Sequence, residues 1–267
     1  MSFYGSHFSY DGISCIEYDL MLLDIDNTAP NGGGFSSSVN ISEDRLNRNY
    51  SPIVYGTSQN KPLTFTMVFG LIPARAAAKR ELDRWDMEVI ASWLTNTDEY
   101  KELVIDQNDM DMYKFKCIIT DLKIIPWGNI PWAFSATIQC DSPFAYTFPE
   151  IYTFSGGTTR NRIFSKSSFK GFYYPVIEIV RSGAGDITIV NTSDNNRMFK
   201  FTDVPAGISS IYVDNQNGII KDNTGGVNLY PYFNFNFLRL LRGDNYLDIT
   251  VNGTAKITCE YPINVGW

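Results

Sequence analysis

PLTFTMVF, residues 62–69, sets Leu63, Phe65, Met67 and Phe69 in alternation with Pro62, Thr64, Thr66 and Val68. A period of two puts the four larger side chains on one face of an extended chain, so the stretch predicts a β-strand with one buried face. Immediately downstream the pattern changes. Pro73 precedes ARAAAKRELDRWDMEVIASWL, rich in helix formers and free of internal breakers, which predicts a helix over about 74–94. Leu82, Trp85, Val89, Ile90 and Trp93 recur there at steps of three or four, an apolar stripe expected to lie on a sheet.

Working outward, the opening FYGSHFSYDGISCIEYDLMLLDI alternates apolar and polar residues around Gly5 and Gly12, as short strands joined by turns would. Residues 27–34, NTAPNGGG, hold too little apolar surface to pack and predict a mobile loop. Beyond the helix, YKELVIDQND predicts a strand running into a turn. MYKFKCIITDLKII predicts a longer strand with Tyr113, Phe115, Cys117 and Ile119 on one face. PWGNIPW is expected to break that strand as a loop, before AFSATIQCDSPFAY resumes with Phe134, Ala136, Ile138 and Cys140 in phase.

From Thr147 onward no run of helix formers is long enough for a sizeable helix. Turn clusters at residues 155–157, 182–185, 192–196, 214–218, 223–226 and 243–245 cut the segment into short strands such as VIEIV, DITIV, MFKFT, SIYVD and AKITCEY, the spacing of a sandwich. YPYFNFNF, residues 230–237, also alternates and is expected as a strand buried on one face, with the other face available to a partner. The expected fold is mainly β, with one α-helix in an N-terminal domain of residues 1–146 and an all-β C-terminal domain of residues 147–267.

Composition narrows the function. Hydrophobic residues make up 44% and charged ones 19%, a globular balance expected to fold nearly throughout. A formal charge of −7 argues against gripping a phosphate backbone. No apolar stretch is long enough to span a bilayer, and MSFYGSHFSYDG lacks the basic and apolar regions of a signal peptide, so synthesis in a cytoplasm is expected.

Enzyme chemistry finds little to work with. His7 is the sole histidine, and Cys15, Cys117, Cys140 and Cys259 form no CxxC or CxxH pair, so they are expected as buried or half-buried thiols. There is no GxSxG elbow and no GxxxxGK[ST] phosphate loop. Asp24 with Asp26, and Asp106, Asp109 and Asp111, offer carboxylates for a cation or a glycosidase, but DQNDMD lacks the central glycine and terminal glutamate of an EF-hand loop and is expected as a solvated turn. No cofactor, metal or catalytic residue is assigned. The 18 Phe, 16 Tyr and 5 Trp suit either β cores or carbohydrate and protein interfaces.

In order along the chain, FSYDGIS, Tyr55–Gly56 before PLTFTMVF, the helix ending ASWL, ELVIDQ, CDSPFAY, SSIYVDNQNGII and the leucine–x–GxN turn of LLRGDNYLDITVNGTAKITCEY resemble the siphovirus distal tail (Dit) proteins over essentially the whole chain. The resemblance implies a ring-forming N-terminal β domain, a C-terminal galectin-like β-sandwich, and a place at the distal end of the phage tail in the virion after assembly in the host cytoplasm. It implies a hexameric ring that joins the tail tube protein to the tail-associated fibre or lysin protein and, in some phages, to receptor-binding proteins. DNA would pass through the ring without stable binding, and no membrane is involved. For the ring contact, the loop carrying Asn27, Asn31 and Phe35 and the β region carrying Arg45, Tyr55 and Phe65 are the expected surface. Two other readings stay open: a carbohydrate-binding adhesion module, and a tail glycosidase or peptidase. Against the first, the usual galectin sugar site uses a histidine, an asparagine and an arginine with a tryptophan. Residues 147–267 hold no histidine, and Trp267 is their only tryptophan.

Overall fold

Alternation along the chain becomes a pair of separate cores in the structure, a computed structural model that describes residues 6–25, 40–45, 50–58, 61–72, 81–108, 110–127, 130–223 and 226–265. The chain divides after Tyr146. Asn264 and Val265 belong with the first unit, and Thr147–Ile263 form the second.

The first unit is built on antiparallel strands β1 (His7–Tyr10), β2 (Ile13–Ser14), β3 (Leu20–Ile25), β4 (Asn40–Asp44), β5 (Ile53–Ser58), β6 (Thr64–Leu71), β7 (Lys101–Asp106), β8 (Tyr113–Trp127), β9 (Ile130–Cys140) and β10 (Ala145–Thr147). Across the main sheet the order is β2-β1-β7-β8-β9-β6-β3, with β10 against β8, while among the described residues β4 and β5 pair only with each other. The alternation of 62–69 holds: Leu63, Phe65, Met67 and Phe69 are all buried. Opposite them on β9, Phe134, Ala136 and Ile138 face the same way, because paired residues of antiparallel strands share a face. Phe115, Cys117 and Ile119 of β8 complete the layer.

The helix is shorter than the sequence suggests. Helix α1 spans Arg84–Thr95. Residues 74–80 lie outside the described residues, and 81–83 are not helical. The start is set by a capping box: the Asp83 carboxylate accepts the amide of Asp86 at 2.8 Å, and the Asp86 carboxylate reaches back to the amide of Asp83 at 3.4 Å. The stripe is also narrower. Ile90 and Leu94 are buried, and Trp93 lies against Tyr18 and Phe8 while its Nε1 donates to the carbonyl of Tyr10 at 3.1 Å. Trp85 and Val89, expected on the same stripe, instead face solvent, Trp85 at 76% exposure.

Gly128 and Asn129 lie outside the described residues, but the rest of PWGNIPW is strand and not the loop expected. Pro126 and Trp127 continue β8 and pair with Pro131 and Ile130 at the start of β9. The two prolines face each other beside a register shift near the end of the β8–β9 ladder, where a missing N–H costs little.

The second unit is a two-sheet sandwich. Its strands are β11 (Glu150–Ser155), β12 (Thr158–Ser165), β13 (Val176–Arg181), β14 (Ile187–Asn191), β15 (Arg197–Phe201), β16 (Ser210–Asp214), β17 (Ile219–Asp222), β18 (Gly243–Thr250) and β19 (Gly253–Cys259). One sheet runs β11-β19-β13-β16-β17 and the other β12-β18-β14-β15. Ile177, Ile179 and Ile257 from the first meet Ile189, Phe199, Leu247 and Ile249 from the second in one apolar cluster. The fold is thus mainly β, with one α-helix among the described residues.

Two local expectations fail here, and in both an asparagine side chain captures backbone groups, although Phe233 keeps a single antiparallel bridge to Phe201. YPYFNFNF is not a strand: Tyr230–Tyr232 form a 3-10 turn, and Asn234 accepts the amide of Lys200 and donates to the carbonyl of Met198. Phe233 is buried within it, whereas Phe235 is exposed. Gly243 to Asn245, read as a turn, instead open β18, because Asn245 folds back onto both the amide and the carbonyl of Leu241.

Candidate assembly surfaces

Strands β4 and β5 form a two-stranded ribbon apart from the other sheets among the described residues, Asn40 pairing with Ser58 and Asp44 with Ile53, with a register shift between Ser42 and Glu43. Every residue of both strands is exposed, including Ile41 at 58%, Val54 at 56% and Tyr55 at 66%. A lone two-stranded ribbon is marginal in water, because it buries no face to offset the ordering of its backbone. Among the described residues, the Tyr55 hydroxyl donates to Asp44 at 3.2 Å, and the Arg45 guanidinium meets Glu43 at 3.2 Å. Exposed pairs of this kind are worth about 0–1 kcal/mol each. Aromatic and branched apolar side chains on such a ribbon are the composition of an interface core rather than of a solvated hairpin.

The sequence-derived contact residues therefore separate. Arg45 and Tyr55 lie together on the ribbon. Phe65 does not join them: it is 5% exposed and packs edge-on against Phe115, 5.6 Å between ring centres, inside the first unit. Asn27, Asn31 and Phe35 lie outside the described residues. Val54 falls within the region 45–69 expected to carry the contact, whereas Ile41 lies outside it, because a lone isoleucine inside NISED resembles any half-buried strand. Trp85 and Val89 form a second exposed apolar pair, one turn apart on α1. Their spacing, read as a core stripe, is equally the spacing of an outward-facing one.

On the second unit, the outer face of the four-stranded sheet carries Arg162, Phe164, Asp244 and Tyr246. The Arg162 Nε donates to Asp244 at 2.5 Å, and its guanidinium lies 5.9 Å from the Phe164 ring centre. Arg160 sits 5.9 Å over the ring of Tyr246, and its amide donates to Asp248 at 2.7 Å. In the same sheet Asp248 pairs across to Val190, and Val190 to the exposed Met198. This face offers stacked guanidinium and aromatic surface, a recognition chemistry rather than a reactive one.

The thiols are withdrawn from solvent. All four cysteines are buried, and burial pushes the Cys117 and Cys259 thiols up to about 12, with Cys15 and Cys140 also raised. His7 on β1 shares a 2.9 Å hydrogen bond with the Ser6 hydroxyl and lies 3.9 Å from Asp106. Among the described residues no group of three or more histidines, cysteines or acids is gathered to hold a metal ion. No helix among them is long and apolar enough to cross a membrane. Of the acidic residues considered above, Asp26, Asp109 and the Asp24 side chain lie outside the described residues.

Two family models match this sequence: one described as a phage tail protein N-terminal domain, over residues 3–142, and one described as a phage tail C-terminal domain, over residues 144–261. The chain belongs to this phage tail protein family. Among solved structures, the phage tail protein is similar to the SPP1 Dit (gp 19.1) protein, with a TM-score of 0.67 and 12% identity, over 96% of this chain and 98% of that one. It is also similar to chains of the activated phage p2 baseplate. With Ca the TM-score is 0.57 at 9% identity, covering 98% and 99% of the two chains; with Sr it is 0.57 at 10% identity, covering 97% and 98%. At such identities the likeness is one of fold, and it runs through both units. None of the curated proteins matches the chain.

Proposed function

We propose that this phage tail protein is a distal tail hub: a structural subunit whose copies close into a hexameric ring at the far end of the tail. The ring joins the tail tube protein to the tail-associated fibre or lysin protein, and to receptor-binding proteins where the phage carries them. The observation that carries the reading is the β4–β5 ribbon, a structured element with no buried face and with Ile41, Val54 and Tyr55 turned outward. Such an element gains its missing core when it lies against a neighbouring copy, and repeated head-to-tail contacts of this kind close into rings. Support also comes from the structural neighbours. The SPP1 protein is described as a paradigm of hub adsorption apparatus in phages infecting Gram-positive hosts, and the p2 chains come from a baseplate.

In this reading the ribbon and the first unit form the ring, and the arginine–aromatic face of the second unit is a surface for outer partners. The chain acts by holding neighbours rather than by turning over a substrate. A formal charge of −7 per copy, summed around a ring, disfavours adhesion of DNA to the wall as it passes. Native mass spectrometry of the purified protein over a range of concentrations tests the reading. A ring species that grows with concentration is expected, together with labelling of the tail tip in negative-stain images of virions. A monomer at every concentration, absent from particles, would reject it. So would a chain that binds glycans but never assembles, which would favour an adhesion module.

A further inference from the structure

We infer that Cys117 and Cys140 are a latent disulfide, a cross-strand pair held reduced during assembly and closed by a two-electron oxidant such as a peroxide. The two residues are directly opposite each other in the β8–β9 ladder. Their side chains share the interior face and neither has any exposed surface.

The hydrogen bonds around them decide which kind of pair they are. The amide of Asp141 donates to the carbonyl of Lys116 at 2.9 Å, so the bonded pair is the neighbouring one. The amide of Cys140 turns away from β8 and donates to Leu63 at 2.8 Å. Cys117 and Cys140 therefore form a non-hydrogen-bonded pair, the arrangement that brings opposed α-carbons to about 4.5 Å and their side chains closest together. That separation falls within the range of about 4.4–6.8 Å that a disulfide spans. Cys15 lies at the other end of the chain order, accepting the amide of Phe8, and Cys259 belongs to the second unit, so neither is registered opposite a cysteine.

Closure balances with peroxide as the named oxidant. One thiol attacks the peroxide, forming a sulfenic acid and one water; the second thiol attacks that sulfur, forming the S–S bond and releasing another water. Burial keeps both groups as thiols near neutral pH, which makes closure slow. A reducing cytoplasm would hold the pair open, and release into an aerated medium would let it close. Only this timing rests on the tail-hub reading. The pairing itself does not.

The test uses the full chain. It is exposed folded to hydrogen peroxide and, separately, refolded in a glutathione redox buffer, where access is not limiting. Peptide mapping and intact mass are then read. The expected product is lighter by two hydrogens, with two of the four thiols lost and a single 117–140 crosslink that survives in a Cys15→Ala, Cys259→Ala variant. A crosslink formed only on refolding still supports the pairing. Refolded protein with no such crosslink, or with mixed partners or sulfinic acids instead, overturns it. Comparing protein taken from host cytoplasm with aged virions checks the timing: reduced in the first and closed in the second is expected, and reduced in both overturns the timing alone.

Discussion

Asn191 donates from Nδ2 to the Oδ1 of Asn245 at 3.0 Å, and neither residue has any exposed surface. Asn245 is saturated: its Oδ1 also accepts the amide of Leu241 at 2.8 Å, and its Nδ2 donates to the carbonyls of Leu241 and Gly243 at 2.8 and 3.0 Å. The leucine–x–GxN turn is thus a side-chain clamp that starts β18, with Gly243 supplying a φ of +88°. Asn245→Ala strands several interior polar groups at once and is expected to cost on the order of 3 kcal/mol in urea unfolding. Asn245→Asp replaces the donor with a carboxylate aimed at two carbonyls. Burial and those carbonyls raise its folded pKa, so its added penalty is full at neutral pH and shrinks as pH falls through that value. Unfolding midpoints at neutral and mildly acidic pH read the difference.

Gly253 and Gly185 separate clash from strain. Both lie at positive φ, +139° and +134°, but a Cβ on Gly253 would sit 2.0 Å from the carbonyl oxygen of Val180, while one on Gly185 would meet nothing within 4 Å. Gly185→Ala is expected to cost about 1–3 kcal/mol from backbone strain alone. Gly253→Ala forces β13 and β19 apart as well and should exceed it by at least ~2 kcal/mol. Equal thermal shifts for the two variants would refute the distinction.

Arg181 is buried, with no carboxylate partner among the described residues. Its guanidinium instead donates to the carbonyls of Pro205, Ile208, Gly185 and Val204 at 3.0–3.3 Å, tying two loops to the end of β13. Desolvation lowers its pKa, yet an arginine stays charged across the working range. Arg181→Met keeps much of the apolar stem and removes these four hydrogen bonds, leaving the Pro205 carbonyl only the amide of Ile208, with an expected loss of about 2–4 kcal/mol. Hydrogen exchange should show the loss concentrated around residues 182–186 and 204–208.

What the sequence reveals follows from which forces set each feature. The inward face of β6, the strands of the second unit and its two-sheet plan were legible, because burial writes a period of two directly into Leu63, Phe65, Met67 and Phe69, or into Ile177 and Ile179. Element ends were less legible. They are decided by single side chains that capture backbone groups: Asp83 at the helix start, Asn245 before β18, and Asn234 where a strand was expected. Assembly surfaces were the least legible. Trp85 has the spacing of a core residue and Tyr55 the look of an ordinary strand residue, and only their exposure distinguishes them from Trp93 and Phe65.

That last contrast supplies the sharpest test of the hub. Phe65 and Tyr55 are both aromatic residues of β-strands in the first unit, yet one is enclosed and the other lies on the ribbon. Phe65→Ala removes a ring packed against Phe115 and is expected to cost about 3–5 kcal/mol of fold stability. Tyr55→Ser and Val54→Lys remove nothing from a core and should leave the unfolding midpoint of the isolated chain within about 0.5 kcal/mol of the parent. If the ribbon docks on a neighbour, Val54→Lys places a charge in an apolar contact and should shift the ring-to-monomer equilibrium at least ~10-fold toward monomer, the effect of about 1.4 kcal/mol. Light scattering at matched concentrations measures this directly. A folded Val54→Lys protein that assembles as well as the parent would move the ring contact off β4 and β5 and leave the exposed Trp85–Val89 face of α1 as the next surface to test.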